Sequence, residues 1–135
     1  MEREFVTYEQ ALALKYLGFD ERCIGRYCIV TEWEEPTGEI LLQFIDCELS
    51  EKTLVKAPLK QQIFRFFREK YDIYVEIGHG PRIEFYYNIY KDAQRISEYG
   101  HYATYEEAEN ACIDKLIEIV KEQKKIDLIA EISGW

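Results

Sequence analysis

Ile73-Tyr74-Val75-Glu76-Ile77-Gly78-His79-Gly80-Pro81-Arg82-Ile83-Glu84-Phe85-Tyr86-Tyr87-Asn88-Ile89-Tyr90 is the stretch on which the fold turns. Ile73, Val75 and Ile77 alternate with Tyr74 and Glu76, and Ile83, Phe85, Tyr87 and Ile89 alternate with Glu84, Tyr86, Asn88 and Tyr90. A period of two is that of a strand with one buried face. Gly78 to Arg82 supply turn chemistry between the two runs, so the stretch predicts a β-hairpin. Its aliphatic side faces a core, and Tyr74, Tyr86 and Tyr90 project from the other side beside Glu76, Glu84 and Asn88.

Upstream, Leu59, Ile63, Phe66, Phe67 and Lys70 recur at helical spacing and Phe64 widens the face, which predicts a helix over 58–70 with Pro58 at its first position. An aromatic stripe at that spacing reads as core. Further upstream, 26–33 is rich in β-formers, Pro36-Thr37-Gly38 breaks it, and 40–47 is a second apolar run, so another hairpin is expected. Residues 48–56 read as a polar connection. Thr7 and Gln10 form a capping box for a first helix over 8–17, with Gly18 as its left-handed stop and Phe19 closing a hydrophobic contact behind it.

Downstream, 91–103 reads as irregular. Thr104 and Glu107 repeat the capping pattern before Ala108, Cys112, Leu116, Ile119 and Val120, predicting a third helix over 105–123. Ile126, Leu128, Ile129 and Ile132 then either prolong that helix or form a short one, and if exposed they offer a surface for a partner or a second copy.

These elements, in the order α-ββ-α-ββ-α, predict an α+β fold: two layers, with a four-stranded, mainly antiparallel sheet of two hairpins and three helices over one face. At 135 residues one domain suffices, expected over 1–123 with an amphipathic tail at 124–135. A core of ordinary size needs no disulfide or metal staple.

Charge narrows the partners. Seventeen Lys and Arg against 26 Asp and Glu leave a formal charge of −9, which repels a polyanion from a distance. Nucleic acid is therefore a disfavoured partner. The densest basic cluster, Arg65, Arg68 and Lys70, is interrupted by Glu69 and reads as a solvated helix side. An acidic mimic of nucleic acid would need a regular carboxylate array, whereas lysines and arginines interrupt the acids along the helices.

Met1-Glu2-Arg3-Glu4-Phe5 has no apolar run behind its charges, and no run of about 18 apolar residues occurs anywhere. No membrane association is expected and the cytoplasm is the expected compartment. Cys23, Cys28, Cys47 and Cys112 then read as free thiols. The four-residue gap between Cys23 and Cys28 does not match a zinc knuckle, and Glu32, Glu34, Glu35 and Glu39 lack the spacing and glycine of a calcium loop. Neither a metal nor a cofactor is expected.

Catalytic signatures are equally sparse. The chain has no phosphate-cradling glycine loop, no nucleophile elbow and no helical histidine pair. His79 and His101 read as loop histidines without a base-type partner. A non-enzymatic protein is expected.

The feature that asks for a function is the phenolic face of the 73–90 hairpin. An aromatic sheet face stacks bases in some RNA-binding modules, but the acids interleaved here oppose a phosphate backbone. A protein partner, or self-association, fits better. The competing functional expectation is a small-ligand or nucleotide site in which Tyr74 and Tyr86 stack while His79 and Arg82 contact an anion. Cross-strand tyrosine pairing that merely stabilises the sheet is the plain structural reading.

Three segments carry a resemblance: Thr7-Tyr8-Glu9-Gln10-Ala11 with Leu17-Gly18-Phe19, the run Ala57-Pro58-Leu59-Lys60-Gln61-Gln62-Ile63-Phe64-Arg65-Phe66-Phe67-Arg68-Glu69-Lys70-Tyr71, and Tyr105-Glu106-Glu107-Ala108 leading to Leu116-Ile117-Glu118-Ile119-Val120. Together they make the chain similar to small uncharacterised proteins of phages and mobile elements of gut bacteria. The resemblance implies an accessory protein of phage or prophage type, and it implies no activity and no functional residues.

Overall fold

The computed structural model describes residues 2–32, 35–44, 53–82 and 84–134. After a short 3-10 turn at Glu2–Glu4 the elements are α1 (Tyr8–Tyr16), β1 (Gly25–Glu32), β2 (Glu35–Phe44), β3 (Thr53–Ala57), α2 (Lys60–Tyr71), β4 (Ile73–His79), β5 (Phe85–Lys91), β6 (Gln94–Tyr102) and α3 (Tyr105–Ile132). The fold is α+β with three helices. The strands form two separate antiparallel sheets of three, ordered β2-β1-β3 and β4-β5-β6.

That arrangement overturns the expected single sheet of four strands, for a reason visible in the ladders. β1 is hydrogen-bonded on one side to β2 and on the other to β3, and β5 likewise to β4 and β6. Each hairpin acquires its third strand from the chain that immediately follows it. The centre strand of each sheet then has no free edge left for the other hairpin.

Both additional strands come from segments expected to be irregular or connecting. β3 is five residues long and β6 is a mostly exposed edge. The first hairpin also turns earlier than expected: Pro36, Thr37 and Gly38 lie within β2, which pairs back onto β1. Trp33, Glu34, Cys47, the 48–52 part of the polar connection, and Ile83 of the second hairpin lie outside the described residues.

The chain clusters into two compact units, Met1–Ile63 and Phe64–Trp135, with the boundary inside α2. In the first, the predicted capping box is present in both halves: Gln10 N donates to Thr7 Oγ1 at 3.1 Å and Thr7 N to Gln10 Oε1 at 2.9 Å. Gly18 at φ 90° ends α1, and the Phe19 amide donates to the Leu14 carbonyl at 2.9 Å. Phe5, Val6, Ala11, Leu14 and Leu17 are buried with Val55 and Ala57 of β3. The Tyr27 hydroxyl donates to the buried Val6 carbonyl at 2.5 Å. Gly25 has no room for a side chain, because a Cβ there would stand 2.7 Å from the Phe5 ring and 3.0 Å from the Ala57 carbonyl.

The helix α2 begins at Lys60 rather than Pro58, and in the second unit its buried Phe66 and Phe67 form a ring cluster with Tyr71. α3 packs on β4, β5 and β6 through Ala108, Cys112, Ile113, Leu116, Ile117 and Val120, meeting Ile73, Tyr87 and Ile89. Its N-cap is as expected, with the Glu107 amide donating to Thr104 Oγ1 at 3.1 Å. The helix runs past the expected end near 123 to Ile132. Val120 is its last buried residue, so the remaining turns carry no buried stripe.

Candidate functional site

The register of the second sheet decides what its outer face presents. Tyr74 stands opposite Tyr90, Glu76 opposite Asn88, Gly78 opposite Tyr86 and His79 opposite Phe85. Side chains alternate across a strand, so Tyr74, Tyr86 and Tyr90 share one face with Glu76 and Asn88. His79 belongs to the other face, with Ile73, Val75 and Ile77. Its ring lies 5.0 Å from that of Phe85 at the sheet end. The expected set therefore divides: three tyrosines come together, His79 points away from them, and Arg82 sits exposed in the connecting turn.

The tyrosine face is open. Tyr74 is 49% exposed, and Tyr86 and Tyr90 are half-buried. Tyr86 lies flat over Gly78, whose missing side chain makes the space: a Cβ on Gly78 would fall 2.3 Å from the phenol. Asn88 Nδ2 donates to Glu76 Oε1 at 3.2 Å across the two strands. β6 completes the surface with Arg95, opposite Tyr90 and paired to Glu98 at 3.1 Å, whereas exposed Tyr99, opposite Tyr87, and exposed Ile96, which lines the cleft beside α3, belong to the other side. Tyr86, Asn88, Arg95, Glu98, Tyr99 and Gly100 border an open depression of about 360 Å³. This is a broad, shallow surface of phenols, an amide and a paired guanidinium, without an enclosed base or nucleophile.

The inner face is built for stability. Tyr87 stacks near-parallel to Tyr102 at 6.2 Å, and burial pushes the phenols of both above the ordinary tyrosine value. His101, at φ 76°, pairs through Nδ1 with Glu84 Oε2 at 2.9 Å on an exposed edge. Sequence reading gave His101 no partner, because Glu84 is 17 residues away and only the β5–β6 pairing brings it near.

Of two further features of α3 and its surroundings, the sequence pattern raised the first, an exposed apolar tail, and missed the second. Ile126, Leu128, Ile129 and Ile132 are 55–77% exposed. A helix turns about 100° per residue, which puts Ile129 on the side roughly opposite the buried Leu116. The second feature is a cleft of about 610 Å³ lined by Lys70, Tyr71, Ile73, Lys91, Ile96, Ile119, Val120, Gln123, Lys124 and Asp127. Its lysines come from α2, the end of β5 and α3, so no local motif announces it.

Among the described residues no group of three or more His, Cys, Asp or Glu is placed to hold a metal ion, and no helix is long and apolar enough to cross a membrane. The described cysteines Cys23, Cys28 and Cys112 are buried thiols. No protein-family model, no curated protein and no solved structure matches this chain.

Proposed function

We propose that the chain is a non-enzymatic accessory protein that works by binding another protein, and that the outer face of the β4-β5-β6 sheet is its recognition surface. The observation that carries this reading is the uncovered phenolic face, with Tyr74 and Tyr90 side by side on paired strands. Tyrosine and arginine are enriched at protein interfaces because a phenol or guanidinium offers a large contact area together with a polar tip. The flatness of the face suits a protein better than a metabolite. His79 lies on the opposite side of the sheet, which weighs against a nucleotide site on this face.

The partner's contacting surface is neutral to basic, since the chain carries a formal −9. The resemblance to small phage and mobile-element proteins supports an accessory role of that type in the cytoplasm. Replacing Tyr74 and Tyr90 together by serine is expected to leave the fold intact and to weaken capture of the partner from cell extract about tenfold or more, the size of a hot-spot loss. A matched Tyr16→Ser change, at an exposed α1 position, is expected to have no effect. Equal capture by both variants refutes the proposal.

One observation favours self-association as a second form of the reading: the exposed Ile126, Leu128, Ile129 and Ile132 at the end of α3. If a second copy covers them, the mass in solution is twice that of the chain and Ile129→Glu halves it. A monomeric wild-type protein leaves the sheet face as the proposed interface.

A further inference from the structure

The cleft beside α3 combines an apolar floor with a rim of lysines. Its floor is apolar, with Ile73 and Val120 almost wholly buried, and Ile119 and the half-exposed Ile96 extend it to the side. Around that floor stand Lys70, Lys91 and Lys124, with Asp127 as the one carboxylate among the lining residues. The lining thus holds three cationic side chains and one anionic one, in a chain whose formal charge is −9. One oxygen of Asp127 already accepts a hydrogen bond from Gln123 Nε2 at 2.9 Å.

Lys70 is held rather than free to wander. Its Nζ lies 5.4 Å from the centroid of the Phe66 ring and 5.5 Å from that of Tyr71, a cation–π arrangement that restrains the ammonium beside Tyr71, itself part of the cleft lining. A cation placed beforehand costs less ordering when a ligand arrives. The volume of about 610 Å³ falls within the range of roughly 300–1,000 Å³ usual for small-molecule sites. Lysine presents a point charge rather than a planar fork, so it accepts carboxylate, phosphate and sulfonate heads alike.

We propose that this cleft binds a small organic anion with an apolar body, the body lying on Ile73, Val120 and Ile96 and the anionic head meeting Lys70 and Lys91. Purely inorganic anions are poor occupants, because they leave the apolar floor unused. The site is independent of the tyrosine face, and its ligand acts whether or not that face binds a protein.

The test is a fluorescence titration of the full chain with 8-anilino-1-naphthalenesulfonate, an aromatic sulfonate that brightens in an apolar site. Saturable binding with one site per chain is expected, displaced by dodecanoate or by 1-naphthyl phosphate but not by inorganic phosphate. The two organic competitors separate a carboxylate head from a phosphate head. Lys70→Glu with Lys91→Glu is expected to weaken binding at least about tenfold, a change of about 1.4 kcal/mol. A Leu128→Ser, Ile129→Ser variant, which alters only the exposed stripe of α3, is expected to bind as the parent does. Lys91→Gln alone, expected to weaken binding about threefold, serves if the double reversal unfolds. Non-saturable binding, affinity indifferent to the lysines, or loss with the stripe variant overturns the proposal.

Discussion

Truncating Phe67 to alanine is expected to lower stability by about 3–5 kcal/mol, the usual cost of emptying a fully buried aromatic site. Phe67 has no solvent exposure, and its ring lies 5.4 Å from Phe66 and 5.8 Å from Tyr71. The loss combines the transfer energy of the ring with a cavity that α2 cannot collapse, because neighbouring turns hold its backbone in place. Domains of ordinary stability have only about 5–15 kcal/mol in total, so a large share of the folded margin disappears. The change also loosens the ring cluster on which Lys70 rests, and anion binding in the cleft should weaken with it. Tyr74→Ala, on the open face of the same unit, is expected to cost about 0.5 kcal/mol or less. Urea unfolding of the two variants checks both figures. A Phe67→Ala loss below about 1 kcal/mol means that the ring is not in the core.

The second large effect appears at high pH. Burial pushes the Cys112 thiol up to about 12, with the Glu109 carboxylate adding to the shift. Burial likewise pushes Cys23 up to about 11, the Lys56 ammonium opposing and the Glu21 carboxylate assisting. In the unfolded chain a thiol ionises near its ordinary value, so above about pH 9 the unfolded state binds fewer protons than the folded one. Stability therefore falls as pH rises from about 9 toward 11 and 12, and it is unaffected by these groups below about pH 8. The phenols of buried Tyr87 and of half-buried Tyr71 and Tyr102 shift in the same direction and steepen the decline above pH 10.

Denaturant midpoints measured from pH 7.5 to 11 should trace that fall. Cys112→Ala should lower the whole curve slightly while flattening its alkaline limb. A wild-type midpoint constant up to pH 11, or an unchanged slope in Cys112→Ala, contradicts the assignment. The same burial makes native Cys112 inert to thiol reagents at pH 8, because the reactive thiolate is scarce and the sulfur is enclosed.

What could be read from residues and what could not follows from the range of each signal. The α1 cap, the Gly18 stop and the 73–90 hairpin are written in residues three to a dozen positions apart, and all three are present. β6 escaped for two reasons. Its Gln94-Arg95-Ile96-Ser97-Glu98 run, lying on an exposed edge, carries little apolar alternation. Its connection to β5 is an Asp92-Ala93 turn with both residues at positive φ, 54° and 61°, where glycine or asparagine would ordinarily advertise the turn. β3 was hidden by brevity, and without these two strands the two hairpins had only each other to pair with.

The candidate face was legible in part. Alternation placed Tyr74, Tyr86 and Tyr90 together, but His79, two residues beyond Ile77, shares the aliphatic parity and could not have joined them. The lysine-lined cleft had no sequence signal at all. Lys70, Lys91 and Lys124 are 21 and 33 residues apart, and only the packing of α2, β5 and α3 assembles them.

A photo-reactive amino acid placed at position 74, and separately at position 16, bears most directly on recognition through the outer face of the second sheet. Irradiation in cells should join a defined protein to the chain labelled at 74, with the adduct suppressed by excess unlabelled chain and absent from the chain labelled at 16. Equal labelling from both positions, or no adduct from 74 while the protein is folded and abundant, would contradict the account.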